Sequence, residues 1–313
     1  MEILDRRDFF GMAGAVLAAG LCAPGQVLAA HKAEPAGDGV QHEESKEFQL
    51  KIDAARAGSA AAPADDLALL AAACRALDQC LGSRSALADA APVVREAIRY
   101  DTSGRAEDAL FRRQGLSLAI EATDARTKLK CKHHSFIPEL LGAEPADSVC
   151  YPSLRAGGLA KARFKIEQDL HFNNTKTCAS GSVFLPGRRT DADAVSFFSA
   201  HFPGIASLCA PETRLQVVHH WRETVFEVRE LRFGKARFAN LMLVNRRDPS
   251  SGALVESELS YKVRREAGRD WDREQLALAS RLYAALNATR VFQADPPIFY
   301  LLDPVGSVDI LKA

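Results

Sequence analysis

The sequence predicts an α+β fold: an all-antiparallel β-barrel of about eight strands with about three helices packed outside it. Three stretches of alternating polar and apolar residues carry that expectation: Glu47-Phe48-Gln49-Leu50-Lys51-Ile52, Thr127-Lys128-Leu129-Lys130-Cys131-Lys132 and Val255-Glu256-Ser257-Glu258-Leu259-Ser260-Tyr261-Lys262-Val263. Side chains alternate between the faces of a strand, so Glu47, Gln49 and Lys51 share one face and Phe48, Leu50 and Ile52 the other. By the same rule Lys128, Lys130 and Lys132 share a face, as do Glu256, Glu258 and Lys262. Charged rows backed by apolar faces fit a strand-lined cavity holding a metal and a polyanion. They also fit an antiparallel sheet with one wet face and no site.

The remaining elements follow in order. An Ala-rich stretch from Asp65 to Leu81 predicts a helix, with Asp65 or Asp66 as its N-cap and Gly82 at its exit. Strands are expected at Ile98–Thr102 and Leu116–Glu121, with Asp124-Ala125-Arg126 turning the chain into the lysine row. From His133 to Gly158 periodicity fades and Pro and Gly accumulate, which predicts a long connection. Lys161–Phe172 alternates again, placing Arg163, Lys165, Glu167 and Asp169 opposite Phe164 and Ile166. Asp191–Phe202 reads as a short helix and Leu215–Leu231 as a long strand or hairpin carrying Arg222. Phe238–Val244 and Leu254–Arg264 flank Asp248-Pro249-Ser250-Ser251-Gly252, a hairpin turn. Asp272–Asn287 predicts an amphipathic helix with Leu276, Ala279, Leu282, Tyr283 and Leu286 on one stripe.

The first residues predict processing. Arg6-Arg7-Asp8-Phe9-Phe10 precedes an uncharged, Ala-rich run from Gly11 to Ala23 and a small-residue exit at Val27-Leu28-Ala29-Ala30. The paired arginines resemble a twin-arginine export signal, with Asp5 where Ser or Thr is usual. The run is too short to span a bilayer. Residues 1–30 are thus expected to be an export signal read by the twin-arginine machinery, and 31–44 a polar linker. The mature protein is expected in the periplasm or secreted, with no stable membrane insertion. Forty basic residues balance forty acidic ones, so net charge gives no basis for nucleic-acid binding and any polyanion site must be a local concentration of cations. Cys74, Cys80, Cys131, Cys150, Cys178 and Cys209 fit no metal-ligand spacing, and the sequence singles out no pairing among them. Adjacent strand residues point to opposite faces, so neither His133-His134 nor His219-His220 chelates one ion.

The order of these pieces resembles the CYTH domain, also called the triphosphate tunnel metalloenzyme fold. Glu47-x-Gln49-x-Lys51 stands where that family opens with Glu-x-Glu-x-Lys, and Arg99-Tyr100-Asp101-Thr102 matches its Tyr-x-Asp-Thr-like strand. Gly115–Glu121 is similar to its Gly-x-Ser-Leu-Arg-Ile-Arg strand, Leu129-Lys130 to Thr-Leu-Lys, the stretch around Arg222 to an Arg-bearing strand, and Glu256-Ser257-Glu258 to the closing Glu-x-Glu. The likeness runs from about Ser45 to Ala288; it makes 45–290 a tunnel domain and 291–313 a tail packed on it. The resemblance implies an eight-stranded antiparallel tunnel in which cations grip a chain of phosphates and carboxylates hold Mg²⁺ or Mn²⁺. Glu47, Glu256 and Glu258 become the candidate metal ligands, and with Lys51 the candidate catalytic residues. Lys51, Lys130 and Arg222 become candidate phosphate ligands, to which the strand pattern adds Lys128, Lys132, Arg163, Lys165 and Lys262. The expected ligand is a small phosphate-bearing anion.

The departures bear on function. Gln49 replaces the second glutamate of the opening motif, and Ala119 and Glu121 replace two arginines. Glu121 is therefore an alternative metal ligand, or the register slips there, or phosphate binding is lost. Three functions remain open: a metal-dependent triphosphatase acting on triphosphate or polyphosphate, a non-catalytic anion-binding module on the same barrel, and an unrelated exported α+β protein.

Overall fold

The computed structural model describes residues 40–53, 65–81, 86–102, 110–134, 144–153, 161–170, 175–192, 194–229, 231–233, 236–263, parts of 277–288, 298–302 and 308–312. The expected export signal and all but the end of the expected linker lie outside the described residues. The chain forms strands β1 (Gln41–Asp53), β2 (Val93–Thr102), β3 (Leu116–Ala122), β4 (Arg126–His134), β5 (Lys161–Leu170), β6 (Thr175–Pro186), β7 (Leu215–Val228), β8 (Leu231–Phe233), β9 (Ala236–Arg247) and β10 (Leu254–Val263). The helices are α1 (Asp66–Leu81), α2 (Leu110–Arg113) and α3 (Val195–Ser199). β11 (Ile298–Leu302) and β12 (Val308–Lys312) pair with each other as a separate two-stranded sheet.

The ten-stranded sheet has the order β10-β1-β5-β6-β4-β3-β2-β7-β9-β8, and β10 also pairs with β9. Backbone hydrogen bonding therefore runs around the sheet and returns to its start, leaving β8 as a short flap that continues the line of β7. Closure removes exposed edges, which is the usual solution for a sheet this wide.

The expected eight all-antiparallel strands are corrected on two counts. The sheet has ten strands, and β1 runs parallel to β5. The physical reason is the length of β1. It begins at Gln41, inside the expected linker, so Gln41–Phe48 pairs with β5 while Lys46–Asp53 pairs with β10. The strand count rises by two because β6, rich in Ser, Thr, Gly and Ala, has too little apolar alternation to be recognised as a strand, and β8 has only three residues.

Apolar faces point outward and are covered by helices. On one side Phe48, Leu50, Phe226, Leu241, Leu243, Leu259 and Tyr261 pack against Leu69, Leu70, Ala73 and Leu77 of α1 and against helical residues Leu278, Leu282 and Ala285. Phe48 and Tyr261 stack with ring centroids 5.0 Å apart. On the other side Ile98, Tyr100, Leu118, Ile120, Leu129, Phe164 and Val183 pack against Phe111, Val195, Phe198, Phe202 and Ile205. α1 starts where the sequence places it, because Asp65 Oδ1 accepts from the Leu67 N–H at 3.0 Å. The hairpin between β9 and β10 is held by Asp248, whose Oδ1 accepts from the Ser250 and Ser251 amides at 3.0 and 2.8 Å, with Gly252 at φ 71°. No helix among the described residues is long and apolar enough to cross a membrane.

Candidate functional site

With the apolar faces turned outward, the period of two sends the charged rows inward. Register then fixes which charges meet. On the β4-β6-β5 sector, Lys130 stands opposite Ser182, and Ser182 opposite Arg163. Lys132 stands opposite Ser180, and Ser180 opposite Lys165. Each rung thus presents a cation, a buried serine and a second cation, the two cations on strands about 9–10 Å apart. Lys128, Lys130, Arg163 and Lys165 keep between 16 and 30% of their side chains exposed, so solvent reaches this sector.

Carboxylates from neighbouring strands balance part of this charge. Glu43 lies 3.1 Å from Arg163 and 3.0 Å from Lys165. Arg163 Nε is buried and makes no hydrogen bond, because its N–H is not aimed along that 3.1 Å contact. Lys262 of β10 reaches Glu47 at 3.0 Å and Glu167 at 2.5 Å. Burial works to raise the Glu167 carboxyl, but Lys262, Lys165, Lys132 and Lys130 together hold it well below the usual range. Lys262 responds in the opposite sense: burial alone lowers it, and Glu167 and Glu47 drive it well above its ordinary value. Lys165 is pushed down by burial and by Lys262, against the pull of Glu167 and Glu43.

A second network begins on β3, beside β4, and runs on to the opposite wall. Glu121 faces inward, opposite Lys128 and Ala97, so the register does not slip. It accepts from Arg95 at 3.0 Å and Lys128 at 3.1 Å, with Lys130 at 4.0 Å. Burial opposes ionisation of Glu121, and those cations outweigh it, keeping the carboxyl well below its ordinary value. Burial brings Lys128 down to about 8, despite Glu121. Arg95 also binds Glu223 at 2.6 Å. Arg246 is the hub: its Nε donates to Glu223 at 2.8 Å and its Nη1 to Glu258 at 2.9 Å and to Glu256. Burial would lower Arg246, and the three carboxylates raise it far above its usual value. Arg99 lies directly opposite Ala119, with its guanidinium 5.0 Å from the Trp221 ring, which in turn stacks on His219.

The candidate ligands named from sequence are placed differently from one another. Lys128, Lys130, Lys132, Arg163 and Lys165 are brought onto one inward sector, and Lys262 of β10 reaches it through Glu167. Glu47, Glu256 and Glu258 are not brought together. Glu47 stands opposite Lys262, whereas Glu258 stands opposite Lys51, which offsets the two glutamates by about 13 Å along the strands. For Lys51 the register alone is described. Arg222 is exposed on the outward face, because it shares parity with Phe226 of the outer core while its neighbour Glu223 points inward. The Tyr100-Asp101-Thr102 motif is an anchor for α2: Asp101 accepts from the Phe111 and Arg112 amides at 3.0 Å each, and Thr102 Oγ1 from the Leu110 amide.

Among the described residues, each candidate metal ligand is engaged by a cation. Glu256 and Glu258 already converge on the Arg246 guanidinium and Glu47 on the Lys262 ammonium. Among the described residues no group of three or more His, Cys, Asp or Glu side chains is arranged to hold a metal ion.

Arg246, Glu223, Arg95 and Ser182 are among the inward residues that the charged rows missed, as are Glu43 and Ser180. Arg246 and Arg95 lie just beyond the strand ends expected at Val244 and Ile98, and Glu223 is one position from the arginine that was chosen.

No protein-family model and no curated protein matches the chain. Among solved structures, a proposed adenylate cyclase of Bacillus halodurans superposes with a TM-score of 0.36 at 12% identity, covering 80% of this chain and 92% of the other. A proposed adenylyl cyclase of Hippeastrum, described as having a dominant triphosphatase activity, superposes with a TM-score of 0.38 at 8% identity, covering 76% of this chain and 86% of the other.

Proposed function

We propose that this protein binds a linear phosphate chain, a triphosphate or polyphosphate, on the inward β4-β6-β5 sector, and that it acts as an anion-binding module. The observation that carries this reading is a local surplus of positive charge. Among the described residues, Lys128, Lys130, Lys132, Arg163 and Lys165 of the sector and Lys262, which reaches it from β10, outnumber Glu167 and the flanking Glu43, Glu47 and Glu121, in a chain whose formal net charge is zero.

A phosphate chain would exchange protein carboxylates for its own oxygens. Arg163 Nε makes no hydrogen bond beyond its ion pair with Glu43, and Ser180 and Ser182 stand between the cations. Charge-assisted bonds of this kind are short and roughly twice as strong as neutral ones. On the other wall Arg246 neutralises the carboxylates that metal-dependent hydrolysis would need, so binding is favoured over turnover. Export to the periplasm or the medium belongs to the same proposal and rests on residues 1–30 of the sequence.

The test is paired. Tripolyphosphate is titrated while the melting temperature is followed, and phosphate release is measured with Mg²⁺ or Mn²⁺ present. The proposal expects a rise in melting temperature without added metal and no release. Steady phosphate release that Glu256→Ala abolishes would establish the hydrolase reading instead.

A further inference from the structure

We infer that Cys131 and Cys150 are a disulfide-forming pair that latches the segment around Cys150 to the back of the lysine row. The two residues are 19 positions apart, on β4 and in the turn that follows a short 3₁₀ helix at Pro145–Asp147, and their Sγ atoms lie 3.0 Å apart. Closing to a bonded S–S separation of about 2.0 Å needs a movement of about 1 Å. None of the described cysteines is disulfide-bonded in the structure, and Cys178 meets His134 Nδ1 at 3.6 Å.

The surroundings make the contact a built one. Cys131 faces outward between the inward Lys130 and Lys132, and its partner across the ladder is Gly181, which lies between Ser180 and Ser182. A Cβ on Gly181 would stand 1.8 Å from the Cys150 carbonyl oxygen, so the Cys150 backbone rests directly on β6 where only glycine leaves room. The segment is tied again just after the cysteine, through the Tyr151 hydroxyl to His42 at 2.9 Å and the Ser153 amide to the His201 carbonyl at 2.8 Å. A bond from Cys150 to Cys131 would join this segment covalently to the strand that carries the cations.

Both thiols are fully buried in the folded chain, and burial together with the Cys131 contact pushes the Cys150 thiol well above its ordinary value. The folded Cys150 is therefore a poor thiolate, and with both sulfurs shut off from solvent the bond forms before the segment docks. The chemistry is thiol–disulfide exchange with a small-molecule or protein disulfide. One cysteine thiolate attacks the oxidant's disulfide, giving a mixed disulfide and releasing one thiol. The second cysteine thiolate then displaces the other thiol, so that two protein thiols become one disulfide and the oxidant's disulfide becomes two thiols.

The experiment refolds the denatured protein in a glutathione and glutathione-disulfide mixture, alkylates remaining thiols, and maps peptides without reduction. The expected result is one cross-linked peptide pair containing Cys131 and Cys150, two hydrogens lighter than the reduced pair. Reduction should lower the melting temperature by about 5 °C. A Cys150→Ser variant refolded in the same way should melt like the reduced protein. Since that variant can fail to fold, the peptide map of the unsubstituted protein is decisive. Complete alkylation of Cys131 and Cys150 after oxidative refolding, or cross-links from either to another cysteine, would overturn the inference.

Discussion

Lys130 of β4 and Arg163 of β5 stand on one rung of the sheet, both opposite Ser182 of the intervening β6. This juxtaposition is possible because the outer faces of the same strands are satisfied by helices and loops, which frees the inner face for charge. Removing either cation should weaken tripolyphosphate binding about tenfold, the loss of roughly one charge-assisted bond. Isothermal titration of Lys130→Ala and Arg163→Ala would check it. The outward Arg222→Ala provides the control and should leave affinity unchanged.

Arg246 holds the opposite wall together. Truncating it leaves Glu223, Glu256 and Glu258 facing one another without their shared partner, and Arg246→Ala should cost about 3–5 kcal/mol of stability, the range for breaking a buried pair. Denaturant titration measures the loss. Restoring part of it with Glu223→Gln in the same chain would identify carboxylate repulsion as its cause.

Binding should depend on pH through Lys128. Its folded value of about 8 lies below the ordinary 10.5, so the ammonium neutralises as pH rises through 8. Affinity for tripolyphosphate should therefore fall between pH 7 and 9. The contribution of this lysine to stability has the opposite sign. Between its folded and unfolded values the unfolded chain binds more protons, so stability from this group rises with pH there. Parallel binding and melting curves separate the two effects.

Acid should unfold the protein through Glu121 and Glu167. Both are held well below their unfolded value of 4.5 by neighbouring cations. Their contribution is present above pH 4.5 and is lost as pH falls toward the folded values. A melting temperature that stays level between pH 6 and 5 but drops steeply below 4.5 is the expected profile. Glu121→Gln and Glu167→Gln should each flatten that drop.

Gly181 tests the packing behind the site. Gly181→Ala places a methyl against the Cys150 carbonyl oxygen and should destabilise the fold by about 3 kcal/mol. Gly187→Ala is the comparison. Nothing lies within 4 Å of its added carbon, and its φ of 71° leaves only the smaller backbone penalty.

Much of the fold was legible because apolar and polar residues alternate strongly in β1, β4 and β10, and because Asp65 and the Asp248–Gly252 turn use local hydrogen bonds that sequence reveals. The inward placement of Lys128, Lys130, Lys132, Arg163, Lys165 and Lys262 follows from that alternation. β6 was not legible, since Thr175–Ser182 has small residues on both faces and its pairing with β4 and β5 is a long-range property. Arg222 and Glu223 show the limit of parity reasoning. Both faces of β7 carry apolar and charged residues, with Trp221 and Val225 on one and Thr224 and Phe226 on the other, so only packing against α1 decides which turns inward. Arg246 was hidden by its position at a strand end, where charged residues ordinarily mark a turn.

The central claim is that the β4-β6-β5 sector holds a phosphate chain. Its most direct test is calorimetric titration of tripolyphosphate into the protein and into a Lys130→Ala, Arg163→Ala double variant, with and without Mg²⁺. Saturable binding without metal that falls about a hundredfold in a double variant of unchanged helix and sheet content is the predicted result. No heat of binding to the folded protein, or equal affinity in both chains, would contradict it.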